Sequence, residues 1–139
     1  MLHSDLTWEL AKAETQAMEL EIAGVVPAAV VVALNQNAHG TLLSCSETEW
    51  SWNGAITVTV VEGTDVDQIV REIQAHYEGS RFDLVTDVDI LGHFQLQMVS
   101  AETAENYIIA EGSEPNQVRI ASGSACFTLP EGTWPRGEF

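Results

Sequence analysis

Two cysteines, Cys45 and Cys126, stand 81 positions apart in a chain that has no others. Each sits in a short stretch of small residues that reads as strand: Leu-Leu-Ser-Cys-Ser (42–46) and Ser-Gly-Ser-Ala-Cys-Phe (122–127). A lone pair placed like this suggests one long-range disulfide tying an early strand to the last one. Such a bond persists outside the reducing cytosol. Two buried free thiols in a reducing compartment are the competing reading. A reactive thiol is disfavoured, because neither cysteine belongs to a Cys-x-x-Cys pair or has a Lys or His beside it to lower its pKa.

The rest of the composition narrows the partners. Five Lys and Arg face 21 Asp and Glu in 139 residues, a net charge of −16. Nucleic acid and anionic lipid both need a basic footprint, so neither is expected. The charge fits a highly soluble surface, or one that meets a basic partner or divalent cations. The four arginines are scattered, which excludes a phosphate-binding cluster. The longest apolar run, 25–34, is too short to span a bilayer. The first residues lack the basic and apolar regions of a signal peptide. An exported form is then expected to have lost its leader, with Met1 an artificial start.

The chain length fits a single domain over 1–139 with one sizeable core. Residues 4–24 read as a helix, capped by Ser4 or Asp5. Leu6, Leu10, Ala13, Ala17 and Leu20 form its expected apolar stripe, widened by Met18 and Ile22, with Glu9, Glu14, Glu19 and Glu21 on the wet side. Gly24 and Pro27 stop it. Strands are expected over 28–35, 41–46 and 55–62, the last led in by Trp50–Asn53. Thr64 or Asp65 caps a second helix, about 65–78, whose apolar face is Val66, Ile69, Val70, Ile73 and Tyr77. Strands at 81–90, 94–100, 106–111 and 117–122 follow, and the tail 129–139 reads as irregular. Hairpin-length connections imply an antiparallel sheet. The expected fold is two-layer α+β: about six to seven antiparallel strands with two helices packed on one face.

Few residues point to chemistry. His3, His39, His76 and His93 show no zinc spacing, and each reads as a surface residue. Asp83, Asp87 and Asp89 share one face of a strand by parity. With Glu62 or Glu111 nearby they could hold Ca²⁺, but the EF-hand pattern is missing, and acids on a wet sheet face are ordinarily just solvated. No Gly-x-Ser-x-Gly elbow or phosphate loop occurs. Trp50 and Trp52 share a face. They are candidate binding residues that could stack on a sugar or anchor a partner; the plainer reading is core filler near the disulfide. No catalytic residue, metal site or cofactor is expected.

The helix Thr-Trp-Glu-Leu-Ala-Lys-Ala-Glu-Thr-Gln (7–16) is followed by Val-Val-Pro (25–27), Leu-Leu-Ser-Cys (42–45) and Trp-Asn-Gly (52–54). Later come a helix ending at Tyr77 and Ile-Ala-Ser-Gly-Ser-Ala-Cys-Phe (120–127). Together they resemble the mature portion of small secreted actinobacterial lipoproteins of uncharacterised function. The resemblance implies a helix after a lipidated N-terminus and a late Ser-x-Cys paired with the earlier Ser-Cys. The lipidated cysteine itself is not in this chain, and the resemblance carries no catalytic residues. The expected function is a non-enzymatic secreted or cell-envelope domain that binds an unknown protein or small ligand. Membrane contact would come only through the absent anchor. One alternative is an immunity or inhibitor-type protein whose acidic surface binds a basic partner. Another is a metal-binding protein or hydrolase using Asp83, Asp87, Asp89 and a distant His.

Overall fold

In a computed structural model, which describes residues 6–139, two helices and seven strands form an α+β fold. The elements run α1 (Trp8–Ala23), β1 (Val31–Gln36), β2 (Thr41–Ser44), β3 (Trp50–Val60), α2 (Val66–Tyr77), β4 (Asp83–Val88), β5 (Phe94–Val99), β6 (Asn106–Glu111) and β7 (Gln117–Gly123). The sheet order is β1-β3-β7-β6-β5-β4, with β2 also pairing with β3, and every pairing is antiparallel. After β3, α2 carries the chain to the far edge of the sheet. Four strands then meander back until β7 lies beside β3. Both helices pack on one face of this sheet.

The second helix forms as its sequence dictates. Asp65 caps it by accepting a hydrogen bond from the Gln68 amide at 3.1 Å. Val66, Ile69, Val70, Ile73 and Tyr77 are all buried. They meet Ile56 and Val58 from β3, Leu96 and Met98 from β5, and Ile109 and Ile120 from β6 and β7 in the main core.

The first helix departs from its expected form. It begins at Trp8 and is capped by Thr7, whose hydroxyl accepts from the Leu10 amide. The expected caps Ser4 and Asp5 lie outside the described residues, as does His3. Its buried positions are Ala11, Thr15, Glu19, Ile22 and Ala23. The expected stripe is buried only in part: Leu6 and Ile22 are buried, but Leu10 is 52 % exposed and Leu20 is 44 % exposed. Glu19, assigned to the wet side, is fully buried at 0 %. The helix is rotated so that Ala11, Thr15, Glu19, Ile22 and Ala23 are its inward face. Thr15 satisfies its hydroxyl on the Ala11 carbonyl one turn back, at 2.7 Å.

Strand boundaries also move, and β2 stops at Ser44, so that Cys45 follows the strand instead of lying on it. Residues 28–30 form a single 3-10 turn rather than the start of a strand, because Pro27 opens the segment and the Val30 amide bonds its carbonyl. Strand β3 begins at Trp50, earlier than expected, because β2 pairs with its first four residues. Strand β4 ends at Val88, so Asp89 belongs to the following loop instead of sharing a face with Asp83 and Asp87.

A second, smaller core sits at one end of the molecule. Leu6, Ala11, Leu42, Trp52 and Phe127 are buried there, with Trp8, Trp50, Leu129 and Phe139 packed against them. Cys45 follows β2, Cys126 follows β7, and the two are joined in a disulfide with Cα atoms 6.4 Å apart. The bond and the Trp50–Phe127 backbone bridge clamp the β2–β3 hairpin to the segment after β7.

Candidate functional site

The expected binding residues fall in that second core. Trp52 is fully buried. Its indole N–H donates to the Phe139 carbonyl at 3.1 Å, and its backbone amide donates to Ser124 Oγ at 2.8 Å. A Cβ added at Gly54 would stand 2.3 Å from the Trp52 ring, and one at Gly40 would stand 2.7 Å from it. Glycine at both places is what lets the indole lie flat against the backbone. The Lys12 ammonium lies 5.9 Å from the Trp52 ring centroid and 6.0 Å from that of Trp8. Trp52 therefore has no ring face left to stack on a ligand, and Trp50 is half-buried in the same cluster. The tail, irregular in backbone as expected, folds back so that Gly40 and Phe139 exchange backbone hydrogen bonds.

Next to this cluster, on the face of the sheet away from the helices, lies a cleft of about 500 Å³. Strands β3 and β7 alternate there between buried residues on the helix side and residues that look the other way. Ala55 and Ala121, directly paired across the two strands, make the floor. Arg119 on β7 rises at one side. Asn37 and His39, from the connection between β1 and β2, form the opposite rim, and Glu138 of the tail closes an end. Two small side chains in the middle of a sheet leave a hollow, and longer polar ones at its margin point a few donors and acceptors into it.

Arg119 stands out among the cations. Arg81 pairs with Glu105 at 2.5 Å and covers the Phe82 ring. Arg71 lies over the Phe94 ring, and Lys12 over two indoles. Among the described residues, Arg119 and Arg136 have neither a carboxylate within ion-pair distance nor an aromatic ring under them, and of these two only Arg119 lines the cleft. The chain carries 21 acids, and none of the described ones takes it. Sequence reasoning passed over Arg119 as one of four scattered arginines. The only sequence signal was its alternation with Val118 and Ile120, which marks it as facing away from the core.

The groups with displaced proton affinity lie elsewhere. Burial pushes the Glu19 carboxyl up, against the opposing effect of hydrogen bonds from Ser122 Oγ and, at 3.0 Å, from Gln36 Nε2. Glu105 is pushed up by burial, but the Arg81 guanidinium and the Tyr107 and Thr103 hydroxyls outweigh that and hold it below the usual range. Burial and the Glu21 carboxylate, 2.8 Å away, raise Tyr77.

The expected acidic trio does not converge. Asp83 and Asp87 stay on the edge strand β4, while Asp89 turns its carboxylate onto backbone amides. His93 bonds Glu111 at 2.6 Å instead of meeting them, and His39 lies in the cleft. Among the described residues, no group of three or more His, Cys, Asp and Glu is arranged to hold a metal ion. No described helix is long and apolar enough to cross a membrane. No known protein family, curated protein or solved structure matches the chain.

Proposed function

We propose that this protein is a non-enzymatic binding module of the cell exterior or envelope, and that the cleft around Arg119 takes a small ligand bearing a carboxylate. One observation carries the reading: an arginine without a partner among the described residues lines a cleft floored by small side chains. A guanidinium presents paired N–H donors that match a carboxylate. No hydrogen bond within the described residues uses the side chains of Asn37 or His39, which leaves both for the rest of the ligand. The net charge of −16 repels anions at long range. Physiological salt screens such fields beyond about 8 Å, so the local cation decides inside the cleft.

Two observations support the absence of chemistry. The displaced carboxyls, Glu19, Asp89 and Glu105, are engaged in internal hydrogen bonds outside the cleft. Glu19 is also sealed in the core. The external location rests on the Cys45–Cys126 bond, and the resemblance to secreted lipoproteins agrees with it.

The test is a titration of the full chain with a panel of small mono- and dicarboxylates, followed by amide chemical shifts. Binding is expected to move the resonances of Asn37, Ala55 and Ala121. Arg119→Ala is expected to weaken binding about 10-fold or more, and Arg119→Lys is expected to recover only part of that. A panel that moves none of these resonances refutes the reading, and so does a ligand that binds Arg119→Ala unchanged. The location is tested separately. Native protein should be lighter than the reduced form by two hydrogens for its one bond, and thiols that alkylate without reductant would refute it.

A further inference from the structure

The loop joining β4 to β5 presents two large apolar side chains to solvent. Ile90 is 101 % exposed and Leu91 is 77 % exposed, and Val88 just before them is also exposed. Such residues at a hairpin tip cannot contribute to the fold. Yet the backbone beneath them is held firmly. The Asp89 carboxylate Oδ1 accepts from the Leu91 amide at 2.8 Å and the His93 amide at 2.9 Å. The Asp89 amide donates to the His93 carbonyl at 3.0 Å, and the Gly92 amide donates to the Asp89 carbonyl at 2.9 Å. Gly92 has φ +86, a conformation that favours glycine. At the base, His93 is fastened to Glu111 on β6 at 2.6 Å. The result is an apolar finger on a preorganised stalk, which loses little conformational entropy when it is captured.

Charge selects the occupant. Asp87 and Asp89 flank the finger, and the Arg71 guanidinium is spread over the ring of Phe94, which opens β5 after it. A second copy of this chain would bring the same acids to the contact, and an anionic membrane would repel them. We propose that the β4–β5 hairpin is a docking finger for a protein whose receptive socket is apolar and rimmed by Lys and Arg. The apolar tip would supply affinity, and the acids at its base would steer encounter and exclude other partners. This surface is independent of the cleft, so either reading can fail alone.

The experiment places a photoreactive benzophenone amino acid at position 91, with position 72 on α2 as the control, and irradiates the full chain in its native cells. A captured protein is then purified and its binding measured directly. Capture specific to position 91 is expected. Ile90→Ser combined with Leu91→Ser is expected to weaken binding about 30-fold or more while leaving the urea midpoint unchanged. Asp87→Asn with Asp89→Asn is expected to slow association several-fold at low salt. Asparagine at 89 keeps the side-chain oxygen that the turn needs, so this variant removes charge without removing the stalk. The proposal is overturned if no capture is specific to position 91, or if the double serine variant binds the captured protein as wild type does. It is also overturned if the finger is needed for sedimentation with phosphatidylcholine vesicles, or for dimerisation of the chain alone.

Discussion

Glu19 is the residue at which burial and chemistry conflict most plainly. Its carboxyl is fully enclosed between α1 and the central strands, where the Ser122 hydroxyl and the Gln36 amide donate to it. A carboxylate in such a place loses more by leaving water than two neutral donors return, so its proton is held more tightly than in the unfolded chain. The folded protein therefore binds more protons than the unfolded one as pH rises from about 4.5, and Glu19 makes stability fall through that window. Glu105 acts in the opposite sense. Its depressed proton affinity adds stability above the unfolded value, and that contribution is lost as acid protonates it. Glu19→Gln keeps an oxygen for Gln36 and a donor for Ser122 without carrying charge. It is expected to be more stable than wild type at pH 8 by about 1 kcal/mol, the general scale of single-site effects. The difference should vanish as pH falls well below 4.5. Urea midpoints of both proteins across that range check it, and a constant difference would show that the Glu19 proton is not involved. Glu105→Gln should reduce the stability difference between pH 7 and pH 3 measured in the same way.

The two helices show what a sequence can and cannot disclose about an element. Helix α2 was legible to the residue because its apolar side chains are large, aliphatic or aromatic, and confined to one face. Helix α1 spreads its apolar residues around the cylinder, so the expected stripe was right at Leu6 and Ile22 and wrong at Leu10 and Leu20. The face that packs serves both cores: Ala11 lies in the second one, and Ile22 and Ala23 lie in the main one. No spacing rule distinguishes that face from Leu10 and Leu20 without the partner surface in view. A pair of substitutions tests the observed orientation. Ile22→Ala removes a side chain from the core and is expected to cost about 2–5 kcal/mol. Leu10→Ala, on the face the sequence favoured, is expected to cost under about 1 kcal/mol, since half of that side chain is already in water. Equal losses in chemical denaturation would return α1 to the orientation read from its leucines. The strands divide in the same way. Alternation identified β3 and β5 through β7, whereas the exposed edge strand β1 was overrun at its start and β4 at both ends, because few core contacts fix their limits.

Across the whole molecule, one covalent bond joins parts that the sheet order already holds close, and its energetic role follows from that. Cys45 and Cys126 flank the β2–β3 hairpin and the end of β7, and β3 and β7 are adjacent in the sheet over seven residue pairs. The bond therefore adds little new geometry to the folded state and acts mainly by restricting the unfolded chain. That is why the sequence could disclose the pairing while concealing the strand order and the cleft. Two cysteines allow one partner each, but Arg119, Asn37 and His39 meet only through a register that no local pattern encodes. For a separation of 81 residues, the chain-entropy account gives about 4.5 kcal/mol. Replacing both cysteines by serine should lower stability by about 3–5 kcal/mol, with the native amide spectrum of the main core retained. The second core should suffer most, because the disulfide and the Trp50–Phe127 bridge are what press the tryptophan cluster shut. Hydrogen exchange then separates two outcomes. Faster exchange confined to the Trp50, Trp52 and Phe127 amides identifies that end as a locally opening unit that the bond staples closed. Uniformly faster exchange across β3, β5 and β6 would instead mean that the two cores unfold as one, with the bond acting on the global equilibrium alone.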